Sequence, residues 1–232
     1  MEHEISAVTA WSDAALSNLL GRPVQLPDQA VVAFLIVLGS LIVLPPLSRR
    51  FSLDRPGIVQ HMLEIGVESI NSMLDVFIGK NGRQYFPVMG TFAFFILVSN
   101  LVAFIPGFQP PTADLNTTVA LALLSFLYYN YIGIRTQGMQ YLKQFVGDPI
   151  WLFPLMIPIE ILSHLSRPLS LSVRLFGNIF GEHTLAGVFF ILLPVGLPVV
   201  FAPLGVFVAF LQTFVFVMLS MIYIAGAIEH GH

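Results

Sequence analysis

Apolar residues in this chain gather in runs of about bilayer length. Residues 30–47 form one such run, 86–105 a second and 115–134 a third. Each lies near the ~20 residues that a helix needs to cross a hydrocarbon core roughly 30 Å thick. Two longer runs follow at 148–193 and 197–229. Pro45 and Pro46 mark the expected end of the first run. Pro154, Pro158 and Pro168 are expected to interrupt the fourth, and Pro194 and Pro198 to shape the turn before the fifth. As a helix, residues 199–227 alone would be ~43 Å long, too long for an upright crossing. Strong tilt of the last two helices is expected to absorb that excess.

Residues 57–80 follow a different rule. Gln60, His61, Glu64, Glu68, Asn71, Ser72 and Asp75 recur every three to four positions. Val59, Met62, Leu63, Val67, Ile70, Met73, Leu74 and Phe77 fill the opposite face. That spacing predicts a one-sided helix, and its three carboxylates make it a poor membrane span. It is expected to lie in the interface plane or against a partner. An acidic polar face favours a protein neighbour over anionic lipid.

Composition decides the solvent. Of 232 residues, 56% are hydrophobic and only 10% charged, and the mean hydropathy is +0.84. A soluble domain carries about 25% charged residues. The expected fold is therefore an all-α polytopic membrane protein: five membrane-crossing helices plus one in-plane amphipathic helix, forming a single membrane domain over residues 1–232. The net charge of −3 and the lack of a basic run exclude nucleic acid as a partner. The absence of cysteine removes disulfides, thiolate metal sites and a cysteine nucleophile. Glu2 and Glu4 do not suit a secretory leader, so the run at 30–47 reads as a retained helix.

Lysine and arginine set the orientation. Arg49, Arg50 and Arg55 follow the first span; Lys80 and Arg83 follow the amphipathic helix; Arg135 and Lys143 follow the third span. The tail before residue 30 holds only Arg22, and the turn at 107–114 holds neither basic residue. Residues 1–29 are thus expected outside and the C-terminus in the cytoplasm, with the amphipathic helix on the cytoplasmic face.

Arg174 carries the chemistry. An arginine at mid-membrane costs roughly 2.5–3.5 kcal/mol on insertion scales, so it should face a wet cavity or a carboxylate. At 100° per residue, Glu160, Ser163, Arg167, Ser170, Arg174 and Asn178 fall within about 40° of one line. Glu160 lies about 21 Å from Arg174 along the axis and Glu182 about 12 Å, so neither is a local partner. No other apolar span has a carboxylate in its interior. The counter-charge is expected from another chain; snorkelling to an interface, or a pair within the subunit, is the alternative.

The run Arg174-Leu175-Phe176-Gly177-Asn178 follows Arg167-Pro168-Leu169-Ser170, and Gln212 stands on the next helix. Together they resemble the signature of F-type ATP synthase subunit a. The likeness extends over most of the chain, through 111–118 (Pro-Thr-Ala-Asp-Leu-Asn-Thr-Thr) and the Glu229-His230 ending. The resemblance implies a non-catalytic stator subunit with two proton half-channels against a ring of c subunits. Arg174 would separate them and face the ring carboxylate. Its guanidinium stays charged, so it cannot pass a proton, and it favours the ionised carboxylate.

Residue by residue, the resemblance assigns Asn178, Gln212, Asp114 and Asn116 to the outer half-channel. The family often pairs an acid one turn beyond Asn178 with a histidine on the last helix. Here the acid's position aligns with His183, beside Glu182, and the histidine's with Gly205. Glu182 and His183 are thus expected to supply the titratable group. Glu160 with Ser163, Ser170 and Ser166 would line the inner half-channel. Implied partners are the c-ring, the peripheral-stalk b subunits, the catalytic head indirectly, and lipid. Implied localisation is the bacterial plasma membrane. No cofactor, metal or catalytic residue is expected.

Other readings remain open at this stage. Asp114 or Asn116 would also serve as a helix N-cap, and Gln212 as interhelical glue. His164 would suit an interface. A secondary transporter would show an inverted repeat, and none is visible. An intramembrane enzyme would need Gly-x-Ser-x-Gly, His-Glu-x-x-His or paired intramembrane aspartates, which the sequence lacks.

Overall fold

The computed structural model describes residues 27–49, 51–52, 57–79, 81–105, 108–138, 141, 153–192 and 196–229. Six α-helices appear among them: α1 (Asp28–Ser48), α2 (Ile58–Phe77), α3 (Phe86–Val102), α4 (Leu115–Gln137), α5 (Phe153–Leu192) and α6 (Gly196–Glu229). Short 3-10 turns at Gly82–Tyr85 and Pro111–Ala113 precede α3 and α4. No strand occurs among the described residues. Most of the tail at 1–29, the basic residues Arg22, Arg50, Arg55, Lys80 and Lys143, the start of the run at 148–193, Pro194 and His230 lie outside the described residues.

Four of these segments are long and apolar enough to cross a membrane: Asp28–Ser48, Gly82–Val102, Leu115–Gln137 and Pro203–Ile228. Among the described residues, the 40-residue α5 is not one of them. Glu160, Arg167, Arg174 and Glu182 interrupt its apolar run. A polytopic helical membrane protein is the architecture.

The prolines behave differently from the sequence expectation. Pro45 and Pro46 lie inside α1, and α5 continues through Pro158 and Pro168 without a break. In a membrane helix, the carbonyls that a proline frees are accommodated by small local adjustments of the backbone. Pro154 and Pro198 fall in the first turns of α5 and α6, where the missing N–H would have been unbonded anyway.

The core is built by α3, α4 and α6, with α5 laid against α4 and α6. Met89, Phe92 and Ile96 of α3 meet Phe216, Met221 and Ile224 of α6, and Leu121 and Ile132 of α4 join them. Phe92 and Phe216 meet edge to face at 5.7 Å. Because lipid is as apolar as these side chains, packing and hydrogen bonds rather than hydrophobic burial hold the helices together. Three such bonds, from two residues of α4, tie it to α6. Ser125 and Ser220 share a buried hydroxyl–hydroxyl bond of 2.8 Å. Gln137 Nε2 donates to the carbonyls of Ala227 at 2.8 Å and Ile228 at 3.2 Å, and so satisfies groups that the end of α6 would otherwise leave open. Gly138, at φ +58°, ends α4 in a backbone region that side-chain-bearing residues rarely adopt.

The amphipathic helix α2 meets the hydrophobic core by its C-terminal end. Leu74 is fully buried, with Ile70, Met73 and Phe77 packed beside it. Ile58, Val59, Met62 and Ile65 remain exposed. A bidentate pair, Arg83 Nη2 to Asp75 Oδ2 at 2.7 Å and Nε to Oδ1 at 3.2 Å, fixes α2 to the turn before α3. That guanidinium holds the Asp75 carboxyl below its usual range. The outermost helix, α1, buries only Val31 and Val32 and shows its apolar length to the surroundings.

Candidate functional site

The side of α5 that packs onto its own subunit is largely apolar, with His164 and Ser172 as its buried polar residues. Leu171, Leu175 and Ile179, spaced four apart, are almost fully buried. Arg174 therefore points away from the bundle, whereas Arg167 on the same stripe is half-buried. Arg174 is exposed, as are Ser163, Ser170 and Asn178, while Glu160 is half-buried. Around the stripe the exposed residues are apolar: Leu162, Leu165, Leu169, Val173 and Phe180 on α5, with Phe207, Phe210 and Phe214 on α6. The single ion pair among the described residues is Arg83–Asp75. Arg174 has no carboxylate partner within that set, and neither Glu160 nor Glu182 reaches it.

One helical turn beyond Arg174, Asn178 Nδ2 donates to Gln212 Oε1 at 2.7 Å and joins α5 to α6. Gln212 is 1% exposed. The bond brings two of the sequence-derived residues together and also makes Gln212 interhelical glue. Replacing Asn178 with Leu should cost roughly 0.6–2 kcal/mol of stability, since the buried Gln212 amide loses its partner. Adding Gln212→Leu should cost less than the two single effects summed. Unfolding of the purified subunit in mild detergent, run as a double-mutant cycle, measures this.

Two turns beyond Arg174, Glu182 reaches across to Gly205. A Cβ built on Gly205 would collide with Glu182 Oε1 and would lie 2.7 Å from Phe104 Cζ. The absent side chain on α6 is therefore the space that the α5 carboxylate occupies. His183 lies on α5 beside Glu182, and its side chain falls outside the described residues.

Another polar group near this point went unnoticed in the sequence. Asn100 of α3, 1% exposed, accepts from Thr112 Oγ1 at 2.7 Å and donates to the Ala209 carbonyl at 3.5 Å. Thr213 Oγ1 donates to the same carbonyl at 2.8 Å. Thr112 belongs to the turn that packs against α5. Buried polar atoms thus occur on α6 from Gly205 through Ala209 to Gln212. A lone amide inside the apolar run 86–105 was the available signal.

Asp114 caps α4, its carboxylate accepting from Thr117 N at 3.3 Å. Asn116 Nδ2 donates back to Asp114 at 3.3 Å. These bonds are local, and none of them reaches Asn178 or Gln212. At the other end of α5, Ser166 Oγ donates to the Ser163 carbonyl at 2.7 Å. His164 departs from the interfacial expectation: it is 3% exposed, and Tyr129 Oη sits 3.2 Å from its Nδ1. Its position on the flank of the stripe turns it toward α4 rather than outward. Among the described residues no group of three or more His, Asp or Glu side chains gathers as a metal site.

Comparisons with known proteins follow the same lines. A family model described as ATP synthase A chain matches residues 30–225. A protein of Syntrophotalea carbinolica named ATP synthase subunit a 1 is 51% identical over 186 residues, covering 80% of this chain and 79% of that protein. The ATP synthase subunit a of Trichlorobacter lovleyi is 46% identical over 220 residues, covering 94% and 96%. That of Geobacter sulfurreducens is 48% identical over 174 residues, covering 75% and 76%.

Proposed function

The chain belongs to the ATP synthase A chain family, the non-catalytic proton-translocating subunit of the membrane sector, and from that premise we propose how its residues carry the proton. It is an integral protein of the bacterial plasma membrane. It crosses five times, with α5 as the crossing that its charges disguise, and α2 lies in the interface on the cytoplasmic side. The N-terminus is then outside and the C-terminus inside.

One observation carries the reading: Arg174 stands on the outward face of α5 among apolar residues, without an ion pair among the described residues. A permanent charge in lipid needs compensation, and a carboxylate on a passing ring of c subunits supplies it. The ring carboxylate ionises opposite Arg174 and takes a proton on one side of it and releases it on the other. Arginine blocks the direct route because it holds its proton. Each proton moved by the membrane potential contributes about 2.3 kcal/mol per 100 mV, which drives rotation.

The outer half-channel reaches Asn178 and Gln212 from Glu182 and His183, with Asp114 and Asn116 at its mouth. The contact of Glu182 with Gly205 and the polar bonds of Thr112, Asn100 and Ala209 support that route. The inner half-channel uses Glu160, Ser163 and Ser170. The exposed acidic face of α2 suits the peripheral-stalk b subunits, and through them the catalytic head.

The cysteine-free sequence makes the test clean. A cysteine placed at exposed Val173 should form a disulfide with a cysteine in the outer helix of the ring, in assembled complex treated with a mild oxidant. A cysteine at buried Ile179 should not. Failure of every exposed α5 position to cross-link would refute the ring-facing reading.

A further inference from the structure

Arg167, the second arginine of α5, is held in a way the sequence did not suggest. Its guanidinium carbon lies 5.4 Å from the ring centroid of Tyr223 and 5.9 Å from that of Tyr129. The two rings belong to α6 and α4 and stand 5.7 Å apart. Tyr129 is 1% exposed and bonded through its hydroxyl to His164, one turn before Arg167. Phe126 meets Tyr129 edge to face at 5.3 Å. Three helices therefore meet at this cation, and its compensation is aromatic.

We propose that Tyr129 and Tyr223 form a clamp that positions Arg167 as a second fixed positive charge in the inner half of the proton path. The inference rests on the reading that this half of α5 lines the inner half-channel.

The choice of partner decides what the charge can do. A carboxylate partner would cancel the field of Arg167. A ring face stabilises a guanidinium through its quadrupole and leaves the net charge in place, and the flat, delocalised guanidinium suits such stacking better than an ammonium. Arg167 and Arg174 are seven residues apart, so they lie about 20° apart around the axis and ~10.5 Å apart along it. Glu160 stands the same interval on the other side. A fixed cation between Arg174 and Glu160 favours the ionised form of a carboxylate that enters this half. It therefore promotes release of the ring proton there rather than its return. Like Arg174, it cannot accept that proton itself. The hydrogen bond between Tyr129 and His164 anchors one of the two rings that hold it.

The test uses assembled complexes in inverted membrane vesicles and reads ATP-driven proton pumping, normalised to the amount of complex. Arg167→Gln should lower the rate roughly three- to tenfold, the scale expected for one stabilising charge. Arg167→Lys, which keeps a charge but loses the flat stacking surface, should recover part of that loss. Leu at Tyr129 and Tyr223 together should reproduce the Arg167→Gln rate, and adding Arg167→Gln should bring no further fall. Phe at both positions keeps the ring faces and should pump at least about twice as fast as the Leu pair. Equal rates for Phe and Leu, an additive triple variant, or an undiminished rate for Arg167→Gln would each overturn the clamp. If the Leu pair does not assemble, Leu at Tyr223 alone takes its place. Full pumping by Arg174→Ala would instead overturn the proton-path reading beneath it.

Discussion

Arg174→Ala should abolish coupled proton pumping, by a factor of roughly 100 or more, while ATP hydrolysis by the detached catalytic head continues. The variant should still fold and insert. Arg174 is exposed and bonds to no acid among the described residues, so its removal leaves no buried partner behind. Deleting a charge from a membrane helix in fact eases insertion, by about 2.5–3.5 kcal/mol on translocon scales. A loss of function therefore cannot be assigned to a broken subunit. On the proposed mechanism, what disappears is the cation that ionises the ring carboxylate and bars direct passage between the half-channels. Arg174→Lys should fail as well, because a lysine at this depth shifts its pKa readily and can shed its proton. Pumping in vesicles of the assembled mutant complexes is the measurement, and normal coupled rates in Arg174→Ala would refute the assignment.

The second large effect is expected at Gly205. Its missing side chain is the space of the Glu182 carboxylate, with the Phe104 ring closing the other side. Gly205→Ala should push that carboxylate out of place and lower coupled pumping at least about tenfold, the lower end for loss of a positioned proton-transfer group divided by partial relaxation. The collision is with the end of a flexible side chain and with one ring, so the helices themselves need not part. Moving the carboxylate across the helix boundary separates position from packing. Glu182→Gly combined with Gly205→Asp places an acid on α6 where α5 used to deliver one, and should restore a substantial part of the rate. Glu182→Gly alone should be as slow as Gly205→Ala. A double variant no faster than the single ones would mean that the carboxylate's location is not what matters here.

Both effects were partly legible in the residues. The lone arginine in an apolar run, without an acid at helical spacing, called for a partner beyond the chain. The stripe from Glu160 to Asn178 followed from the helical repeat, and Gln212 from its isolation in 197–229. The link between Glu182 and Gly205 was harder to see. The resemblance puts Gly205 where the family often carries a histidine, and only the packed helices reveal that an acid from α5 fills the gap. A histidine on the flank of a helix stripe can turn either way, and the rotation of α5 against α4 decides which for His164. A single amide in an apolar span, such as Asn100, gives no direction. Local propensity marks a break at proline, yet α1 runs through Pro45 and Pro46 and α5 through Pro158 and Pro168.

Sequence alone determined that the chain lives in lipid, that it is helical, which runs are long enough to cross, and that one permanent charge in an apolar run has no acid at helical spacing. These properties depend on composition and on a fixed period of 3.6 residues, so they can be read one helix at a time. The tertiary structure decided which side of each helix is inside. It put Leu171, Leu175 and Ile179 against the bundle, brought Asn178 to Gln212 and Glu182 to Gly205, and set Arg167 between two tyrosine rings. Where the surrounding lipid is as apolar as the side chains, hydrophobicity cannot choose an inward face. That choice falls to close packing and a few hydrogen bonds between residues far apart in the chain.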